Sequence, residues 1–184
     1  MRIFLFLFFF LLNNFANAST ISKIINNFNS TENMKFNFVQ TIDGKIEKGE
    51  CIIVYPKKIF CQYDDFYNKI LVSNGKSLII NSDKQPQYYR YPLNKTPLNI
   101  ILDKNYLIKK MEELNNQSDT SGDYSFKFNN NKTSIIIHFD RSTLNLIGWS
   151  TKDVYQNKVE TKILNLKTNL YFNKNIFNIV NYIN

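Results

Sequence analysis

The chain has 184 residues, of which 43% are hydrophobic, and it carries a formal net charge of +8. This length suits one domain of ordinary size. A basic chain can bind nucleic acid or an anionic membrane surface, but here the lysines are dispersed along the sequence. The charge therefore indicates a solvated basic surface, and we expect no nucleic-acid partner.

The first 18 residues have the layout of a cleavable signal peptide. Arg2 precedes an unbroken apolar run over residues 3–12, and a small-residue cleavage sequence ends at Ala18. The run is too short to span a bilayer, which takes about 20 residues. We predict cleavage after Ala18, with no Cys following to carry a lipid anchor. The mature chain, residues 19–184, is then a single exported domain.

An amphipathic helix is predicted at the start of the mature chain. Apolar residues there follow the helical spacing i, i+3, i+4 and i+7, namely Ile21, Ile24, Ile25 and Phe28. From Met34 the period changes to two, which is typical of a strand. One face of this strand carries Met34, Phe36, Phe38, Gln40 and Ile42.

Short strands and turn residues then predict an antiparallel meander. The strands are expected at 34–42, 46–55, 59–64, 69–73, 77–81 and 87–91, with Asp43-Gly44 as a hairpin turn. Thr96-Pro97 begins a helical insertion, which a second helix over 103–114 and a loop over 115–122 continue. Further strands are expected at 123–128, 133–140, 144–151, 159–166 and near Phe177. The fold class is mainly β with short α-helices, either a barrel or a half-barrel.

Cys51 and Cys61 are the two cysteines of the chain, and both lie five positions from Pro56. If Pro56 centres the turn, antiparallel pairing places them opposite each other, with Cβ atoms about 4.5–5.5 Å apart. A register slip of one residue would separate them. The sequence therefore leaves two alternatives, a disulfide or two buried thiols, and offers too few ligands for a metal site.

No catalytic constellation is visible. His138 is the only histidine and lies in an apolar strand pattern, and a catalytic histidine needs a nucleophile or carboxylate partner. There is no nucleophile elbow and no phosphate-binding glycine loop. We predict that the protein is not an enzyme, and an exported hydrolase is the alternative from another class.

The aromatic content, 15% of residues, is concentrated in Phe and Tyr. Strand positions predicted to point inward would either fill the interior or line a cavity, and the sequence leaves both alternatives open. These positions are Met34, Phe36, Phe38, Ile53, Ile59, Tyr63, Ile70, Val72, Leu78 and Ile80.

The order of the central segments resembles the LolA family, the periplasmic carriers of outer-membrane lipoproteins. The matching segments are Phe36–Gln40, Val54-Tyr55-Pro56, Cys61–Asp64, Ile70–Lys76, and Thr96-Pro97 followed by Leu98, Ile101 and Leu102. The resemblance implies an unclosed antiparallel β half-barrel. It also implies a helical lid formed by Leu98, Ile101 and Leu102 over a cavity for acyl chains.

The resemblance also implies a function and partners. Such a carrier takes lipoproteins released by an inner-membrane ABC-type exporter and delivers them to an outer-membrane lipoprotein receptor. We therefore expect a periplasmic monomer that needs no cofactor. A carrier of free lipid or glycolipid on the same fold is the alternative, whereas the receptor itself is disfavoured because it is lipid-anchored.

One departure from the family concerns the lid. Many members have a basic residue just before the hairpin proline that hydrogen-bonds the lid, and here this position is Tyr55. A phenol can form a hydrogen bond but carries no charge. Tyr55 is the candidate latch, and Arg90 is a candidate substitute for the missing basic residue.

Overall fold

A computed structural model describes residues 20–84, 87–113, 122–129, 134–153 and 156–183. The predicted signal peptide lies outside these residues, as does all of the predicted 115–122 loop except Gly122. In the described part of the chain, no helix is long and apolar enough to cross a membrane.

Ten strands and three α-helices make up the described structure. The helices are α1 (Thr20–Asn29), α2 (Leu98–Ile101) and α3 (Lys104–Glu113). The strands are β1 (Asn33–Ile42), β2 (Lys45–Val54), β3 (Lys58–Tyr63), β4 (Ile70–Asn74), β5 (Ser77–Asn81), β6 (Tyr89–Pro92), β7 (Tyr124–Asn129), β8 (Ser134–Phe139), β9 (Leu146–Lys152) and β10 (Lys158–Thr168). Short 3₁₀ helices occur at Leu93–Lys95, Lys174–Phe177 and Ile179–Tyr182.

All ten strands belong to one antiparallel sheet in the order β6-β5-β4-β3-β2-β1-β10-β9-β8-β7. Strands β6 and β7 are its two edges, so the sheet is not closed into a barrel. Its inner face carries the apolar residues that pack against the helices. The prediction of a mainly β, unclosed antiparallel half-barrel with short helices is confirmed.

The inner face of the sheet is set by the alternation in β1. Met34, Phe36 and Phe38 are at most 3% exposed, as the period of two predicts. The predicted hairpin turn has positive φ at both Asp43 (47°) and Gly44 (76°), the conformation of a tight two-residue turn. This turn fixes the register in which Phe38 lies opposite Gly49.

The helices cover part of this inner face. Ile24 and Phe28 of α1 are buried there as predicted, together with Leu107 and Met111 of α3. The rings of Phe28 and Phe139 meet edge to face with centroids 5.7 Å apart. The part of the half-barrel that α1 and α3 cover is therefore solidly packed.

The C-terminal segment covers the outer face of β3–β5. Val72, Ile79 and Ile179 form a separate buried cluster there, and the Asn81 side chain donates to the carbonyl oxygen of Tyr182 at 2.7 Å. The predicted strand near Phe177 is wrong, because Phe177 ends a 3₁₀ helix. The side chain of Asn173 accepts from the backbone of Asn175 and starts this turn, as capping asparagines do.

Gly49 is required where β1, β2 and β3 meet. A Cβ atom at this position would lie 2.1 Å from the carbonyl oxygen of Gln62 and 2.9 Å from the Phe38 ring. We expect Gly49→Ala to lower the free energy of unfolding by about 1–3 kcal/mol, the usual cost of overpacking. Urea denaturation measures this change.

Lys48→Ala is the matched control, because Lys48 is the exposed neighbour of Gly49 on the same strand. It should change the free energy of unfolding by less than about 0.5 kcal/mol. Equal unfolding midpoints for the two variants would show that the close approach at Gly49 is unimportant.

Candidate ligand cavity under the lid

A cavity of about 370 Å³ lies inside the half-barrel at the end where the β1–β2 and β9–β10 turns are found. This volume is at the low end of the range of roughly 300–1,000 Å³ for ligand pockets. Its wall is mainly apolar and includes Phe38, Ile42, Ile59, Tyr63, Leu71, Leu78, Ile80, Leu98, Ile101, Trp149 and Val159.

Five of the ten residues predicted to line a cavity lie on its wall: Phe38, Ile59, Tyr63, Leu78 and Ile80. The other five do not. Met34, Phe36 and Ile53 point inward but are at most 1% exposed in the packed core at the opposite end. One end of the interior is thus filled and the other is hollow.

The structure places Ile70 and Val72 on the opposite face of the sheet. Val72 pairs with Phe60, whereas its neighbour Leu71 pairs with Cys61 and lines the cavity. Every residue from 70 to 72 is apolar, so the alternation gave no sign of which face is inside. The outer face is apolar here because the C-terminal segment covers it.

Other wall residues were missed for similar reasons. Trp149 lines the cavity and meets Phe36 edge to face at 6.3 Å, but it comes from β9, a distant part of the sequence. Leu71 is identified as a wall residue only by the β3–β4 register of the structure, which places it opposite Cys61. For Glu47 and Lys69, no local pattern distinguishes them from the other charged residues of the chain.

Cys51 and Cys61 are directly opposed on β2 and β3 and joined in a disulfide. Both residues are at most 5% exposed and form part of the cavity wall. Of the two alternatives that the sequence left open, the structure has the bridged form. The bridge thus links β2 and β3, two adjacent strands of the wall, covalently.

The mouth of the cavity carries a chain of polar contacts between residues of three strands, β10, β1 and β2, and Lys69, which directly precedes β4. The Thr161 hydroxyl donates to Gln40 Oε1 at 3.1 Å, and Gln40 Nε2 donates to Glu47 Oε2 at 3.2 Å. The other oxygen of Glu47 accepts from the Lys69 ammonium. Thr161 is only 4% exposed, so this chain extends from the interior to the rim.

Tyr63 lies between this polar chain and the apolar wall. Its ring meets Phe38 edge to face, with centroids 5.0 Å apart, and the Lys69 ammonium lies 3.9 Å from its centre. Burial raises the pKa of Tyr63, and the neighbouring Glu47 carboxylate raises it further. The phenol therefore stays protonated and neutral.

Two of the three predicted lid residues line the cavity, and the third is buried in the core. Leu98 and Ile101 line the cavity with Thr96 and Pro97, whereas Leu102 is fully buried in the core. Thr96 is extended and Pro97 is the first residue with helical backbone angles, φ −58° and ψ −30°. We call residues 96–102 the lid from here on.

Tyr55 does not make the latch that the sequence predicted. Its hydroxyl is buried and has no hydrogen-bond partner among the described residues, and burial raises its pKa. Its ring instead packs edge to face on Phe28 at 5.7 Å. Arg90 is no substitute, because its guanidinium donates to Ser77 on the exposed outer side of β5.

Lys57, two residues after Tyr55, contacts the end of the lid. Its backbone nitrogen donates to the carbonyl oxygen of Leu102 at 2.9 Å, and its ammonium lies 3.1 Å from the Asp103 carboxylate. Asp103 also accepts from the backbone of Tyr106 and so starts α3. The β2–β3 turn is therefore joined to the junction of α2 and α3 by a hydrogen bond and an ion pair.

His138 lies on the outer face of the sheet, away from the cavity. Its Nδ1 is 2.9 Å from the Ser125 hydroxyl and its Nε2 is 3.3 Å from the Ser150 hydroxyl. Burial lowers its pKa, and Asp123 opposes this shift. Both ring nitrogens are thus occupied by neighbouring strands. Within the described ranges, no group of three or more His, Cys, Asp or Glu side chains could hold a metal ion.

An unclosed half-barrel with an apolar cavity under short helices is the architecture of a protein that binds apolar ligands. The family model described as outer membrane lipoprotein carrier protein LolA matches residues 29–180, so the chain belongs to this family. The family is periplasmic, and its members are carriers or binders rather than enzymes. The family membership predicted from the sequence is confirmed.

Several solved structures are similar to this chain, at low identity. MucB is 13% identical with a TM-score of 0.49, and the match covers 86% of this chain and 62% of MucB, less than two thirds of its length. A LolA superfamily protein from Nitrosomonas europaea is 6% identical (TM-score 0.41, 86% and 98% covered). A putative outer membrane lipoprotein-sorting protein domain from Vibrio parahaemolyticus is 8% identical (TM-score 0.47, 86% and 94% covered). No curated protein sequence matches the chain.

The Tyr55 hydroxyl, which has no hydrogen-bond partner among the described residues, allows a test of whether Tyr55 or Lys57 fastens the lid. We expect Tyr55→Phe to raise the free energy of unfolding by about 0.5–1 kcal/mol, because it removes a buried polar atom that has lost its water without gaining a partner. Thermal or urea unfolding gives the sign.

Tyr182→Phe is the matched control, because the Tyr182 hydroxyl donates to the carbonyl oxygen of Ile176 at 3.0 Å. This variant should lose about 0.5–1.5 kcal/mol. A loss of similar size in Tyr55→Phe would restore Tyr55 as the latch.

Proposed function

We propose that this protein carries lipoproteins across the periplasm by enclosing an acyl chain in the cavity under the lid. The observation behind the proposal is the hollow end of the half-barrel, whose volume of about 370 Å³ is bounded mainly by apolar side chains. Rigid aromatic rings such as Phe38, Tyr63 and Trp149 give this wall large apolar area at low conformational cost. Membership of the lipoprotein carrier family supports the same assignment.

The energetics explain why such a carrier is needed. Each CH₂ group removed from water contributes about 0.8 kcal/mol, so a chain of roughly 15 such groups resists transfer into water by about 12 kcal/mol. A lipoprotein therefore leaves a membrane at a useful rate only if its chain passes directly into another apolar site. The cavity wall provides that site.

The lid gives the carrier a way to release its ligand without an energy source. Leu98 and Ile101 contact both the cavity and the core, so the empty protein gains apolar burial when the lid is closed. A ligand must displace some of these contacts, which lowers its net affinity. The partly exposed ion pair between Lys57 and Asp103 adds little to this cost.

Exposed aromatic residues next to the mouth favour contact with partner proteins. We call Phe66, Tyr67 and Tyr89 the aromatic rim; they are 73%, 49% and 54% exposed. Tyr67 and Tyr89 line a smaller cavity that shares Glu47, Lys69 and Ile80 with the main one. Exposed apolar patches mark interaction sites, and tyrosine is enriched in interfaces. We place the contacts with an inner-membrane ABC-type exporter and an outer-membrane receptor at this rim.

A charge introduced into the cavity should prevent acyl-chain binding. Ile80 lines the cavity but is only partly buried, so the fold should tolerate Ile80→Glu. A carboxylate there must be desolvated by an acyl chain, and we expect at least a roughly ten-fold loss of lipoprotein retention. The measurement is the amount of lipoprotein released into solution from inner-membrane spheroplasts incubated with the purified protein.

Ile46→Glu is the matched control, since Ile46 lies in strand β2 with 65% of its surface exposed and does not line the cavity. It should release as much lipoprotein as the native protein. Equal release by the two variants would argue against an acyl chain in this cavity. A carrier of free lipid, the alternative, would yield co-purified lipid by mass spectrometry and release no lipoprotein.

The aromatic rim should matter for transfer but not for binding. We expect the double variant Tyr67→Ser, Tyr89→Ser to keep its affinity for a fluorescent acyl probe. Its transfer of lipoprotein to outer-membrane vesicles should slow by roughly ten-fold or more, because truncated interface tyrosines commonly act as hot spots.

Tyr171→Ser serves as the control, because Tyr171 is 98% exposed and lies away from the mouth. It should leave both binding and transfer unchanged. Normal transfer by the rim double variant would move the partner contacts elsewhere.

A further inference from the structure

The charges at the cavity cancel, although those of the whole protein do not. Basic residues exceed acidic ones by 23 to 15 in the sequence. The described residues that line the cavity include two of each sign: Glu47, Asp153, Lys69 and Lys152. A mouth that simply reflected the composition of this chain would be positive and would attract anions.

The Lys69 ammonium is neutralised by its surroundings. It forms an ion pair with Glu47 and lies over the Tyr63 ring. The two charged side chains are only 24% and 31% exposed, so solvent screens them less than a surface pair. Lys69 therefore offers N–H donors to a ligand but little uncompensated positive charge.

The Glu47 carboxylate is also held by hydrogen bonds from uncharged side chains. Gln40 donates to its second oxygen, and Thr161 in turn holds Gln40. Asp153 has a different task, because its carboxylate accepts from the backbone and the side chain of Asn157 and closes the β9–β10 turn. Of the two cavity-lining carboxylates, Glu47 is thus the one whose charge compensates Lys69.

A ligand with its tail in the cavity places its polar end at this mouth. A carboxylate or phosphate would find no uncompensated positive charge at Lys69, because reaching it means breaking the Glu47–Lys69 pair, and a charge that loses water without such a partner costs free energy. Ester and amide oxygens carry no charge and can accept from the remaining N–H groups of Lys69 and Gln40.

We propose that Glu47 makes the mouth selective for acyl ligands whose polar end is uncharged, such as the ester and amide groups that link acyl chains to a polypeptide, and that it rejects anionic lipids. This inference rests on the proposed function and assigns its specificity to one residue. It separates lipoprotein cargo from the anionic phospholipids and fatty acids of the same compartment.

The test compares two probes with the same fluorescent acyl tail, one ending in a methyl ester and one in a carboxylate, at a pH where the acid is ionised. The native protein should bind the ester roughly ten-fold more tightly, the size expected of one partly buried charge contact. Glu47→Gln keeps the shape of the side chain and should raise the affinity for the carboxylate roughly ten-fold. The affinity for the ester should change less than about two-fold.

Glu50→Gln is the control, because Glu50 lies on the same strand and is also paired with a lysine, Lys35, at 2.8 Å, but does not line the cavity. It should leave both affinities unchanged. Equal affinity of the native protein for the two probes, or equal weakening of both in Glu47→Gln, would overturn the role of Glu47 and leave the carrier function standing. No binding of either probe by the native protein would overturn the carrier function itself.

Discussion

The contact between the β2–β3 turn and the α2–α3 junction connects two parts of the molecule that the sheet leaves separate. The edges β6 and β7 do not pair, so strand hydrogen bonds cannot close the half-barrel. Its interior is enclosed by helices, which need an anchor on the sheet. Lys57 supplies one through its backbone and its side chain, and Lys104 adds another by donating to the carbonyl oxygens of Asn29 and Thr31 at the end of α1.

This anchor explains how the lid can be held without the basic residue that the family resemblance led us to expect at position 55. The phenol of Tyr55 packs in the core beside Phe28. The contact with the lid is made instead by Lys57, the next charged residue of the same turn. A hydrogen bond from a backbone nitrogen needs no particular side chain. A sequence comparison that follows side chains therefore does not detect it.

The sequence was informative where one face of an element is buried and the other is wet. The helix over 21–28, the strand that begins at Met34 and the hairpin at Asp43-Gly44 were all predictable, because each carries a clear period or turn signal. The opposition of Cys51 and Cys61 also followed from counting outward from Pro56. Local chemistry decides these features.

The sequence was uninformative where both faces are buried. Residues 70–72 and 78–80 are continuously apolar, and the reason lies a hundred residues away in the C-terminal 3₁₀ helices that cover Val72 and Ile79. The predicted cavity therefore included Ile70 and Val72 in place of Leu71. The polar mouth could not be predicted either, since Thr161, Gln40, Glu47 and Lys69 become neighbours only through the register of separate strands.

The two unpaired edges, β6 and β7, have a consequence for the width of the half-barrel. In a closed barrel the girth is fixed by the number of strands and their stagger, so widening it means breaking a ladder of hydrogen bonds. Here β6 and β7 can move apart while every existing strand pair stays intact. Widening the half-barrel therefore breaks no strand hydrogen bond, and what opposes it is the packing of the helices against the inner face.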